Sequence, residues 1–458
     1  MSDKKASLNY GPLLQEAIRK LRGDGVGSII ARGAGSAFVI KALAAGVAFG
    51  SYMVIARLIG VESFGYYVYV LGWISVIMCV SKLGLDSATL RFLPAYSAKR
   101  DWPRYQGFVR FSVWMTTAVS LLTALVLGAV TFVFEDRFSP ELRLTFFLGS
   151  LVLIARTVME MNAFRLQALK AIIQSYVPQH LALPLLLVAG VAVVWAFLKD
   201  QTGSHHVMGI YFAATTFLAI ITWFLLKQID FREAVRRIYE PRYWFRVCLP
   251  LLLVTGMARL LTRIDVLMLG AIDSTDSAGI YSAASEISTL ISFGLIAANA
   301  IMAPMIAELH SEGRIDELRR SIRLCALGLM IFTIPAALVI LLFGRWILGL
   351  FGADFVEGYS ALAILCLGQF FNVFAGPVGL LMTMTHYEKS AAGIFAFAVL
   401  ANVALNASLI PVLGIKGAAI ATTTTTILWN ALMLLFVWSK LRIDTTIFCW
   451  LRHSQDRP

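Results

Sequence analysis

Twelve stretches of about twenty residues, nearly all apolar, follow one another along this chain with short polar breaks between them. No other feature constrains the fold as tightly. Hydrocarbon offers no water to backbone N–H and C=O groups, so a spanning segment must satisfy them internally, as an α-helix does. The stretches run approximately over 34–57, 65–85, 107–134, 143–164, 173–198, 207–227, 246–270, 279–303, 323–344, 358–382, 390–410 and 416–440. Composition agrees. Of 458 residues, 59% are hydrophobic and 14% charged, and the mean hydropathy is +0.77, far from soluble usage. The chain reads as an all-α polytopic membrane protein with about twelve transmembrane helices.

Charge orients the spans. In or beside the even-numbered loops and both termini lie 28 of the 39 Lys and Arg, against 6 beside the odd-numbered loops and 5 within spans. Positive residues stay on the cytoplasmic side, so both termini are expected there. The same asymmetry accounts for the net charge of +12 without nucleic acid. Residues 1–33 read as a cytoplasmic N-terminal segment, with Leu13, Leu14, Ala17, Ile18 and Leu21 forming an apolar face for the membrane surface. No signal-peptide core is evident there. Residues 228–245 read as a basic cytoplasmic linker and 441–458 as a cytoplasmic tail. Attraction of these basic segments to anionic lipid headgroups is a second consequence.

The two halves repeat. ARLIGVESFGYYVYV (56–70) leads from span 1 into span 2, and LMLGAIDSTDSAGIYSAA (267–284) leads from span 7 into span 8. Each carries an aliphatic residue before Gly (Ile59-Gly60, Leu269-Gly270), a short turn, and Gly-x-Tyr (Gly65/Tyr67, Gly279/Tyr281) at an offset of 279 − 65 = 214 residues. Arg110 and Arg323 match at an offset of 213, in linkers of similar character. Six spans per half give both halves the same orientation. Such a parallel repeat is related by an axis along the membrane normal. The halves are 34–227, spans 1–6, and 246–440, spans 7–12.

On these motifs, together with LGLDSATLRFLPAYSAKRD after span 2 and RIDVLMLG in span 7, the chain resembles the polysaccharide flippases of the multidrug/oligosaccharidyl-lipid/polysaccharide exporter superfamily. The resemblance covers about residues 30–440. It implies two six-helix lobes forming a V around a central cationic cavity. It further implies alternating-access transfer of undecaprenyl-pyrophosphate-linked oligosaccharide from the cytoplasmic to the outer leaflet of a bacterial inner membrane, for polysaccharide biosynthesis. The partners it implies are the lipid-linked oligosaccharide, membrane lipids and a polysaccharide polymerase or export machinery. Related lipid II flippases resemble fourteen-span proteins, whereas twelve spans are read here.

Charges inside the spans mark the candidate site. Five cations (Lys41, Lys82, Arg156, Arg259, Arg263) face three anions (Glu160, Asp265, Glu286), a surplus of 5 − 3 = +2. A charge at mid-bilayer costs about 2.5–3.5 kcal/mol on insertion scales. Arg259 sits near the middle of span 7, and Arg263, one turn on, projects about 40° from it around the helix. A guanidinium fork matches phosphate oxygens, so these two arginines lead the candidates for a lipid pyrophosphate. Lys41, on the repeat-equivalent span 1, and Arg156 are candidates for the same cavity. Alternatively, Lys41 snorkels to the interface, a role favoured for Lys82. Arg156 and Glu160, four apart, read most simply as a helix ion pair. Asp265 points about 200° away from Arg263 and is expected to meet another partner. Glu286 has no cation on its own helix, and is a candidate for an ion pair or for proton coupling. Asn299, Gln369, Asn372, Asn402, Asn406 and Asn430 are expected to hydrogen-bond between helices. The Thr422–Thr426 run reads as close packing, and Pro184, Pro250, Pro335 and Pro377 as kink sites.

Five scattered cysteines and six scattered histidines suggest neither disulfides nor a metal site. No phosphate-binding loop or nucleophile–base arrangement is present, so neither cofactor nor enzymatic chemistry is expected. Two alternatives remain. A small-molecule exporter of the same fold would favour an acidic cavity. A membrane polymerase or ligase would need larger outer loops than these.

Overall fold

The computed structural model describes residues 26–133, 138–229, 236–443 and 445, with side chains from residue 42 onward other than those of 200, 254, 300, 301 and 304. The N-terminal apolar face at Leu13–Leu21 and most of the tail lie outside these residues. The described chain is helical throughout, and eleven stretches are long and apolar enough to cross a membrane. The first of them holds two spans. Helix Val26–Lys82 bends at Gly60, whose φ of 78° and ψ of 173° break the helical geometry. Such a backbone is cheap only for glycine. Twelve spans therefore remain, in two six-helix lobes.

Prolines act unequally. Span 10 breaks at Gly376-Pro377 into Tyr359–Ala375 and Val378–Met384, with Gly376 at φ 71°. Span 5 carries a π-helical stretch, Pro178–Ala182, just ahead of Pro184, a wide turn that absorbs irregular hydrogen bonding. At Pro250 and Pro335 the helices Pro241–Ile272 and Ile315–Gly349 run on. Span 8 is Thr275–Thr289 followed, through a tight turn at Leu290–Ser292, by Phe293–Ser311.

The placement of the buried cores gives the shape. At the end away from the basic linkers, one core draws on both lobes: Phe64 and Tyr67 from span 2 share it with Tyr281, Phe351 and Phe355. Backbones meet closely here. A Cβ on Gly65 would fall 2.2 Å from the Thr275 carbonyl oxygen, and one on Gly72 would fall 2.9 Å from Leu267. Tyr52 Oη and Ser282 Oγ, 2.6 Å apart, join the lobes by a hydrogen bond. At the basic end the cores separate. One, with Met302, Ile322, Met382 and Val437, is built from the second lobe alone. The other, with Phe92, Tyr105 and Phe108, belongs to the first lobe and takes in Trp244 and Cys248 from the start of span 7. Trp244 Nε1 donates to Tyr96 Oη at 3.0 Å, and Arg104 ties Asp101 at 2.8 Å to Glu240 at 3.0 Å. The lobes are thus closed together at one end and carry independent cores at the other.

Candidate functional site

Span 7 is the seam between the lobes. Its first turns pack on the first lobe, where Gly84, at φ 73°, lets the chain pass the Cys248 carbonyl. Its last turns, around Leu267 and Gly270, lie against Gly72 and Tyr69. Between these two anchors the helix is loosely covered. Gly256 has nothing within 4 Å of where a Cβ would stand, Arg259 is exposed and Arg263 half-buried. Among the described residues neither arginine makes an ion pair.

The remaining span charges are more fully partnered. Arg156 Nε meets Glu160 Oε1 at 3.1 Å, the helix pair expected from their spacing, and Arg156 Nη1 also bonds to Tyr211 Oη. Lys82 departs from expectation. It does not snorkel to an interface: it is 5% exposed, and its ammonium lies 3.0 Å from Glu160 and 2.8 Å from Asp86. A buried ammonium requires such partners, because desolvation without them is prohibitive. Asp86 falls one residue past the end of the apolar stretch, so nothing in the span itself marks it as the residue that completes this cluster. Lys82 and Arg156 against Asp86 and Glu160 make a neutral group of four. The side chain of Lys41 lies outside the described residues.

In the second lobe Asp265 is 5% exposed and held by neutral donors: Tyr281 Oη at 3.1 Å, Asn402 Nδ2 at 3.2 Å and Asn406 Nδ2 at 2.7 Å. It faces spans 8 and 11, away from Arg263, as its helical angle requires. Asn430 Nδ2 donates to Asn372 Oδ1 at 3.2 Å, so Asn372, Asn402, Asn406 and Asn430 bridge helices as expected, whereas Gln369 accepts from Asn372 within its own helix. A cavity of about 250 Å³ opens beside these groups, with Arg263, Glu286, Gln369, Asn372, Thr425 and Trp429 on its wall. Glu286 is half-buried there, and its carboxylate makes no ion pair among the described residues. The Thr422–Thr426 run divides its roles. Thr423 packs against Gly368, while Thr422, Thr425 and Thr426 line the cavity. Among the described residues no group of three or more His, Cys, Asp or Glu is placed to hold a metal ion.

Charges are therefore sorted by place. A neutral cluster is buried in the first lobe, two arginines without carboxylate partners lie along the seam, and two carboxylates stand in the second-lobe cavity. Two helical lobes closed at one end, with polar groups between them, define a membrane transporter of the exporter fold. Over residues 30–310 the chain matches the family model described as polysaccharide biosynthesis protein, and it belongs to that family. Residues 250–408 also match the MatE model. An uncharacterized membrane protein of Methanocaldococcus jannaschii is 23% identical over 412 residues, covering 88% of this chain and 95% of that one.

Among solved structures, the fold is similar to an inward-facing multidrug resistance MATE family transporter of the MOP superfamily. The TM-score is 0.70 at 13% identity, covering 97% of this chain and 99% of that one. It is similar to the lipid II flippase MurJ in an inward closed conformation, with a TM-score of 0.66 at 14% identity over 92% of each chain. A third similar structure is a MOP superfamily transporter from Pyrococcus furiosus, described as having a binding pocket of reversed polarity. Its TM-score is 0.61 at 13% identity, covering 93% of this chain and 97% of that one. These solved structures are described as transporters and a lipid flippase.

Proposed function

We propose that this protein flips a polyprenyl-pyrophosphate-linked oligosaccharide across a bacterial inner membrane for polysaccharide biosynthesis, by alternating access between its lobes. One observation carries the reading: Arg259 and Arg263 lie on the seam with no carboxylate partner among the described residues. Two uncompensated guanidiniums in a membrane interior are costly, and an anionic headgroup is the ligand that offsets that cost. A pyrophosphate offers oxygens to both forks, while its polyprenyl chain stays in lipid. The basic end is taken as cytoplasmic on the positive-inside rule, so the open end of the V receives substrate from the side of synthesis. Arg156 is tied to Glu160 and Tyr211, and its proposed part is to hold the cavity wall rather than to meet substrate first. Lys41 is proposed to add a third cation from span 1. The proposed partners are membrane lipids and the polymerase or export machinery that takes the product.

A second reading has an observation of its own. The unpaired Glu286 and the buried Asp265 make the second-lobe cavity suitable for a cationic solute, as in a multidrug exporter. Reconstitution separates the two. Vesicles containing the protein are loaded with a fluorescent polyprenyl-pyrophosphate oligosaccharide, or with a cationic dye under an ion gradient. The flippase reading expects movement of the lipid and none of the dye. Dye movement with a stationary lipid would overturn it.

A further inference from the structure

We infer that the second-lobe cavity is a sugar-ring subsite, built to hold one neutral or amino-bearing hexose of the lipid-linked saccharide and to reject a hexuronate. The inference rests on the flippase reading for its substrate, and on the cavity for everything else. At about 250 Å³ the cavity lies below the roughly 300–1,000 Å³ of drug-sized ligand sites. It therefore suits a single ring rather than a chain of them.

The lining matches such a ring. Gln369, Asn372, Thr425 and Thr426 offer amides and hydroxyls, and Trp429 contributes an indole. An indole face is electron-rich and suits the C–H face of a sugar. Phe395 braces this indole, with ring centroids 5.2 Å apart. The wall also has an unmet need. Thr425 is buried, and its hydroxyl has no hydrogen-bond partner among the described residues. Buried polar groups in native folds are nearly always satisfied, so this one marks a place where a ligand hydroxyl or amide completes the network.

Charge sets the class of sugar. Asp265 is occupied by its three donors, which leaves Glu286 as the carboxylate facing the cavity with no ion pair among the described residues. A carboxylate accepts from hydroxyls or an ammonium and repels a second carboxylate. Arg263 stands on the same wall, so a pyrophosphate held on the seam places its first sugar at the entrance to this cavity.

Two measurements test the subsite. In a chain whose native cysteines are replaced by alanine, Thr426→Cys, a half-buried position on the cavity wall, is treated with a small methanethiosulfonate reagent, with and without methyl glycosides. A methyl hexoside should slow modification by about tenfold near saturation, and a methyl hexuronide should not. Trp429→Ala should abolish the protection, and Glu286→Gln should let the hexuronide protect. Equal modification rates with and without the hexoside overturn the subsite. In vesicles, Trp429→Ala should raise KM about tenfold for a polyprenyl pyrophosphate bearing one hexose, with no change for the bare pyrophosphate lipid. An equal loss for both lipids assigns Trp429 to packing and also overturns it. Protection by hexosides in a protein that moves neither lipid would defeat the flippase reading alone. Transport of both lipids without protection would defeat the subsite alone.

Discussion

Gly65 and Gly279 hold equivalent positions in the two halves of the chain and pack directly on each other: a Cβ on Gly279 would lie 3.0 Å from the Gly65 Cα. The repeat motif is thus its own partner across the pseudo-twofold axis, and it closes the lobes at the end away from the basic linkers. A Cβ on Gly65 would meet the Thr275 backbone, which cannot rotate away as a side chain could. Gly65→Ala should destabilise the closed end by about 1–3 kcal/mol, the usual cost of overpacking, and raise the share of molecules separated there. Spin labels at Glu62 and Asp273 should show a longer distance distribution than in the parent. An unchanged distribution would mean that this contact does not hold the closed state.

The Lys82 cluster is a structural unit. Lys82→Met leaves Asp86 and Glu160 buried with one cation fewer, and should cost about 3–5 kcal/mol, seen as a fall in Tm in detergent. The double variant Lys82→Met/Glu160→Gln should lose less than the sum of the singles, because each removes the other's partner. Strict additivity would show that the two side chains are independent.

Asp265 accepts from three donors, so its replacements rank by the acceptors they keep. Asp265→Ala takes the acceptor from all three, but Tyr281 keeps Thr422 Oγ1 and Asn406 keeps Asn402 Oδ1, so the full cost of about 1–3 kcal/mol falls on the buried amide of Asn402. Asp265→Asn retains one carbonyl oxygen and should lose distinctly less. Thermal unfolding of the pair measures this, and equal losses would contradict the network.

Among the described residues Glu286 has no such partners. Glu286→Gln should therefore change stability by no more than about 0.5 kcal/mol, the usual range away from buried networks. A large fall in Tm would reveal a structural ion pair and remove Glu286 from the cavity wall.

Much of this architecture was legible because lipid leaves few choices. Apolar run length gave twelve spans, and only the bend at Gly60 fuses two of them into one helix. The spacing of four gave the Arg156–Glu160 pair, and the angle between Arg263 and Asp265 gave their separation. Contacts between helices distant in sequence were not legible. Lys82 looks from sequence like a snorkelling residue because its partner Glu160 lies 78 residues away and Asp86 stands just past the apolar stretch. Tyr211, which receives Arg156, and Tyr52, which bridges to Ser282, looked like any aromatic residues in a span. The threonine run read as packing because no period within one helix tells which of its faces meets a cavity.

The central claim is that the seam arginines receive a lipid pyrophosphate, and the most direct test is flipping by Arg259→Ala and Arg263→Ala beside the parent in vesicles. The account predicts that each variant, folded and inserted as the parent is, loses transport by at least about tenfold, with only partial recovery in Arg259→Lys, since an ammonium lacks the two-pronged fork. Parent-like flipping by both alanine variants would contradict it and leave the two arginines without a part in transport.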